Sequence, residues 1–191
     1  MRVLFVHGPA ASGKFTVGSR LAERLGMRLF HNHLTVDLAT SLFDFGAPGF
    51  VELRERVWRT AFELAAREGT SFVFTFQPES TVSSSFPAEV AEAVGELGGR
   101  VLFIEIVCPE EVVEERLVAD SRRQFGKLRD LDLYRSLRDG GAFDFPPLPA
   151  PAARVDSSRL TPDEAVVEIV AQLTSAGALD AAAVEETTLG R

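Results

Sequence analysis

The chain has 191 residues, 46% of them hydrophobic and 25% charged, a composition that suits one soluble domain with a substantial core. A formal charge of -8 excludes a general nucleic-acid binder, because phosphate backbones are gripped by basic surfaces. The single cysteine, Cys108, excludes an internal disulfide and a cysteine-based zinc site, and it fits a reducing compartment.

Residues 2–7 (RVLFVH) form a short apolar run ending at Gly8-Pro9, the pattern of a buried strand. Nothing there resembles a signal peptide, and no apolar stretch approaches the roughly 18 residues that span a membrane, so the expected location is the cytoplasm. A helix is predicted from Lys14 to about Leu25, with Val17, Leu21 and Leu25 on one face and Gly26 as its stop. "RLFHN" (28–32) reads as a second strand, and "HLTVDLATSLFDFG" as helix up to Gly46. The next helix carries an apolar stripe of Phe50, Leu53, Val57, Trp58, Ala61, Leu64 and Ala65, and ends at Gly69. "SFVFTF" (71–76) is a third strand, broken by Gln77-Pro78, and residues 87–97 resume a helix. "RVLFIEIV" (100–107) is a fourth strand, and Pro109-Glu110-Glu111 opens the helix after it. Beyond it come the basic segment "ADSRRQFGKLRD", a short helix at 131–137, a proline-rich loop and a last short strand at 154–156. Thr161-Pro162-Asp163-Glu164 is a capping box, followed by the apolar face Val166, Ile169, Val170 and Leu173. Residues 1–176 are expected to form one domain, with 177–191 as a C-terminal tail. Strands alternating with helices predict an α/β parallel sheet covered on both faces.

The stretch "VHGPAASGKFT" (6–16) places Gly8, four residues and then Gly13-Lys14 between the first strand and the first helix. Glycines at that spacing let backbone N–H groups converge on phosphate oxygens, and the helix adds its positive N-terminal end. Lys14 supplies a mobile charge for the outer phosphates. The position after it, which would carry a magnesium-binding hydroxyl, is Phe15, and Thr16 follows one place later. Consecutive helical residues point about 100° apart, so Thr16 does not substitute directly.

Lys14-Phe15-Thr16 resembles the Lys-Gly-Thr form of the loop in adenylate-kinase-like nucleoside monophosphate kinases. There the hydroxyl two places after the lysine helps to hold a phosphate. The whole chain is similar to small P-loop kinases of the shikimate- and gluconate-kinase type, through the loop, "VLFIEIVCPEEVVEERL" (101–117), the arginine-rich segment and "VDSSRLTPDEAVVEIV" (155–170). The resemblance implies a three-layer P-loop kinase fold, a five-stranded parallel sheet in the order 2-3-1-4-5 with helices on both faces. It implies ATP on Gly8, Ala11, Ser12, Gly13, Lys14, Phe15 and Thr16, and magnesium held largely through water. It also implies a lid at about 120–130 whose Arg122 and Arg123 grip the nucleotide, with Lys14 neutralising charge during transfer.

The acceptor would approach from "FHNHLTVD", where Asn32, His33 and Asp37 follow the second strand, and from Gln77 and Glu79 after the third. Asp37 is the nearby candidate to orient or accept a hydroxyl proton. His31 and His33 would form a metal site only with further ligands nearby, and a packed His31 beside a helix-capping His33 is the competing reading. The resulting expectation is an ATP-dependent phosphotransferase for a small molecule. The alternatives are a toxin-like or antibiotic-modifying kinase of the same fold and a regulatory module that binds nucleotide without transferring phosphate.

Overall fold

The apolar run at the start of the chain is β1 (Arg2–His7), and it occupies the middle of a sheet whose every pairing is parallel. The computed structural model describes residues 1–119 and 130–179; the predicted lid with Arg122 and Arg123, and the tail beyond Leu179, lie outside the described residues. Around β1 stand β2 (Arg28–His31), β3 (Phe72–Phe76), β4 (Arg100–Val107) and β5 (Ala153–Asp156), in the order β2-β3-β1-β4-β5. This is the α/β sheet order expected. In register, His7 stands beside Phe76 on one side and Glu105 on the other, and His31 beside Thr75. The carboxyl ends of five strands therefore share one edge, where ligands bind in sheets of this type.

Helices α1 (Lys14–Arg24) and α7 (Pro162–Ser175) cover one face, burying Val17, Leu21, Ile169 and Leu173 against Leu4, Val6, Leu102 and Ile104. On the other face α3 (Pro48–Arg67) and α4 (Phe86–Glu96) enclose a core built largely of phenylalanine. The Phe5 ring lies 4.9 Å from Phe103 and 5.2 Å from both Phe74 and Phe76, in tilted and edge-on contacts that add about 0.5–1.5 kcal/mol per pair to area burial. The remaining helices are α2 (Asn32–Thr40), α5 (Glu110–Leu117) and α6 (Leu131–Asp139). Among the described residues no helix is long and apolar enough to cross a membrane.

Two local expectations change. The helix after β2 ends at Thr40 instead of Gly46, although apolar residues continue through Leu42, Phe43 and Phe45. Turn bonds from the Leu42 and Phe43 amides to the Ala39 carbonyl close it, Gly46 turns the chain at a φ of 79°, and Pro48 starts α3. The buried row of α3 is Phe50, Arg54, Trp58, Phe62 and Ala66; it keeps Phe50 and Trp58 of the predicted stripe but not Leu53, Val57, Ala61 or Ala65, and Leu64 is half exposed. Arg54 enters that row because its charge has partners there. Its guanidinium donates to Glu79 and to the Thr81 carbonyl and hydroxyl (3.2 and 3.1 Å), and it lies over the Phe50 and Trp58 rings.

Candidate nucleotide site

The loop between β1 and α1 passes so close to β4 that a Cβ on Gly8 would lie 2.2 Å from the Ile106 carbonyl oxygen. Only glycine fits there. Ala11 takes a left-handed φ of 55°, a conformation costing a residue with a Cβ about 1–2 kcal/mol. The Ser12 amide closes the turn onto the Pro9 carbonyl at 3.3 Å, while the Ser12 hydroxyl, fully buried, has no hydrogen-bond partner. Gly13 is the N-cap of α1 at a φ of 88°, and no side chain caps that terminus. The first-turn N–H groups are thus presented to an incoming anion, with the helix dipole behind them. The Lys14 ammonium curls back to donate to the Pro9 carbonyl.

A cleft of about 410 Å³ opens over this loop. Its lining from the loop runs from Ala11 to Val17 and includes the exposed Thr16. At one end are Arg116, Ser157, Leu160 and Pro162. Arg116 is held in place by the Ser157 hydroxyl and carbonyl (3.0 and 2.6 Å) and by Cys108 Sγ at 3.6 Å. At the other end are Asn32, His33, Thr75 and Gln77. The Asn32 amide donates to the Thr75 hydroxyl at 3.2 Å, and Asn32 Oδ1 is buried with no hydrogen-bond partner. Phe15 turns its ring edge-on to His31 at 5.1 Å and 89°. The side chain at the hydroxyl position packs on the end of β2 instead of reaching a metal.

The residues singled out in the sequence divide on this geometry. The structure brings Ala11 to Thr16, Asn32, His33 and Gln77 into one cleft. Asp37 is exposed on α2 and lines neither this cleft nor the cavity beside it. Glu79 is held by Arg54 and by the Thr81 hydroxyl, which donates at 2.8 Å. Arg116 and Ser157 gain a place at the site that their sequence neighbourhood does not reveal, since 41 residues separate them. His7 lies at the base of the loop, 6% exposed, and its imidazole is pushed down to a pKa of about 4, first by burial and then by the Lys14 ammonium.

The oxygen donors lining the cleft are neutral hydroxyls and amides, no carboxylate lines it among the described residues, and no acidic or histidine cluster of metal-binding geometry occurs there. Those residues do not form a protein-held magnesium site.

No family profile matches the sequence. The chain is 27% identical over 141 residues, 72% of its length, to the shikimate kinase of Blochmanniella floridana, covering 71% of that protein. Among solved structures, a putative kinase of Chloroflexus aurantiacus superposes with a TM-score of 0.64 at 19% identity, over 94% of this chain and 98% of that one. A gluconokinase of Sinorhizobium meliloti superposes with a TM-score of 0.62 at 17% identity, over 91% of this chain and 92% of that one. The fold is that of the P-loop kinases. Within this fold, the loop at Gly8–Thr16 joins β1 to α1, and Arg116 and Ser157 stand across the sheet edge from the β2 and β3 ends.

Proposed function

We propose that the chain is an ATP-dependent phosphotransferase acting on a small-molecule acceptor. The observation that carries this reading is a single cleft in which Lys14 and the open first turn of α1 lie between two different ends. One holds Arg116 and Ser157, the other Asn32, His33 and Gln77. Phosphoryl transfer needs little covalent help from a protein; positioning and charge neutralisation supply most of the acceleration. In this reading ATP lies along Gly8 to Thr16 with its base toward Leu160 and Pro162. Its outer phosphates meet Lys14, Thr16 and the first-turn amides, and Arg122 and Arg123 act as lid residues over them. The acceptor hydroxyl comes in near Gln77, Asn32 and His33. Its oxygen bonds to the γ-phosphorus as the bond from that phosphorus to the β–γ bridging oxygen breaks. ADP leaves with the electron pair, and the hydroxyl proton passes to water. The names of the similar proteins, a shikimate kinase and a gluconokinase, support a small hydroxyl-bearing acceptor.

One observation favours a second reading, a regulatory module that binds nucleotide without transfer: Phe15 packs on His31 where a metal-binding hydroxyl would stand. The two separate in one experiment. Purified protein is incubated with ATP, magnesium and a panel of small hydroxyl compounds, and ADP release and new phosphate esters are followed by phosphorus NMR. Transfer to at least one compound supports the kinase. Tight nucleotide binding with no ester from any member of a broad panel supports the regulatory module.

A further inference from the structure

A second cavity, about 430 Å³, opens against the other half of the loop. Gly8, Pro9 and Ala10 wall it where Ala11 to Val17 wall the nucleotide cleft, and Gln77 lines both. Its remaining walls are of a different character. Tyr134 and Phe143 stack at 5.4 Å and 28°, Phe145 packs edge-on to Phe76 at 5.8 Å, and Pro146-Pro147-Leu148-Pro149 closes the side. Proline and packed aromatic rings have little rotamer freedom left to lose, so such a wall takes up an apolar ligand at low entropic cost.

Among the described residues this chamber is lined by two charged side chains, Glu105 and Arg138, and one imidazole. Glu105 Oε2 is paired with Arg154 Nε at 2.9 Å. Arg138 is shared among Glu110, Glu114 and Asp139. Neither charge is available to a ligand without breaking an existing pair, and the carboxylates around Arg138 disfavour an incoming anion. His7 differs from both. It is 6% exposed, lines the chamber, and its Nε2 has no hydrogen-bond partner. A buried polar atom left unsatisfied costs about 1–3 kcal/mol, which a ligand hydroxyl would recover. Burial, with the Lys14 ammonium second, keeps this imidazole neutral above a pKa of about 4, so at neutral pH it offers one donor and one acceptor nitrogen.

We propose that this chamber receives the phosphoryl acceptor, and that the acceptor is a neutral alcohol on an aromatic or branched apolar skeleton, its hydroxyl hydrogen-bonded at His7 beside Gln77. The inference rests on the phosphotransferase reading and narrows its substrate class: the skeleton sits in this chamber, and its hydroxyl is presented beside Gln77, which also lines the Asn32–His33 end of the nucleotide cleft. It sets this chain apart from acceptors carrying a carboxylate, because the one guanidinium lining this chamber among the described residues, that of Arg138, is already engaged.

The test uses the full chain with ATP and two probe sets: benzyl alcohol and cyclohexylmethanol against gluconate and shikimate. The ring alcohols are expected to raise ATP consumption, to be recovered as phosphate esters, and to shift the His7 imidazole signals in NMR. Leu148→Trp, which fills the chamber, should raise their KM about tenfold or more while ATP affinity, set in the other cavity, stays within about twofold. Should that variant fail to fold, Phe143→Ala removes an aromatic wall and carries the same expectation. Phosphorylation of gluconate or shikimate, indifferent to both variants, would overturn the chamber assignment and leave phosphotransfer standing. ATP binding with no ester from either set and no response of His7 to the ring alcohols would overturn both.

Discussion

Glu79→Gln removes one negative charge at nearly constant shape, and the structure says where the consequence falls. The carboxylate faces Arg54, whose side chain is 1% exposed and lies 5.0 and 4.9 Å from the ring centroids of Phe50 and Trp58. The other bonds of the guanidinium go to the neutral oxygens of Thr81, and its Nε has no partner. The variant therefore leaves a cation buried among aromatic rings with no counter-charge. Removing one member of a buried pair costs about 3–5 kcal/mol, and the 15% exposure of the Glu79 side chain puts this case near the lower end, at about 3 kcal/mol. For a chain of this length that is a fall in Tm of about 6–12 °C. Urea and thermal unfolding of the wild type, Glu79→Gln and Arg54→Met/Glu79→Gln measure it, and the double variant should regain most of the loss because no stranded charge remains. A Glu79→Gln protein that melts with the wild type and loses only turnover would refute this reasoning and return the carboxylate to the acceptor side.

Thr16→Val keeps the shape of the exposed side chain but removes its hydroxyl from the cleft; ATP affinity should fall about threefold to tenfold by calorimetry, and an unchanged affinity would detach Thr16 from the phosphates. Asp37→Asn should keep turnover within about twofold of the wild type, because Asp37 is exposed and lines neither cavity; a large loss in steady-state assays would place it at the chemistry after all. His7 titrates near 4 when folded against 6.5 ordinarily, so the unfolded chain binds the extra proton between those values. Its contribution is full above about pH 6.5 and is lost as the pH falls toward 4, at most about 3 kcal/mol, so His7→Phe should flatten the acid-side slope of stability in urea unfolding; parallel slopes would refute the shift.

The parts of the fold legible in the sequence are those whose signal is local. The buried parallel strands β1, β3 and β4 read as continuous apolar runs, and Gly8, Gly13 and Lys14 declare the loop because each meets a backbone or charge requirement within a few residues. The capping box at Thr161 is present as read, with Glu164 Oε2 accepting from the Thr161 amide at 2.8 Å. What escaped depends on distant partners. The burial of Arg54 has no local signal, because Glu79 and Thr81, which take it into the core, lie 25 and 27 residues away. The end of α2 was hidden by apolar residues that continue past it, where turn bonds and Pro48 outweigh the pattern. Phe15 showed in the sequence that a hydroxyl was missing, but not that its ring rests on His31. Likewise, nothing near Arg116 or His7 in the chain announces that one braces the cleft against Ser157 and the other lies beneath the loop.

Whether the Gly8–Thr16 loop binds the phosphates of a nucleotide is decided by titration calorimetry of ATP into the wild type and Lys14→Ala. Saturable binding to the wild type is expected, with a loss of at least about tenfold in the variant, about 1.4 kcal/mol, and both proteins equally folded. Equal ATP affinity in the two proteins, or no binding to the wild type, would contradict it.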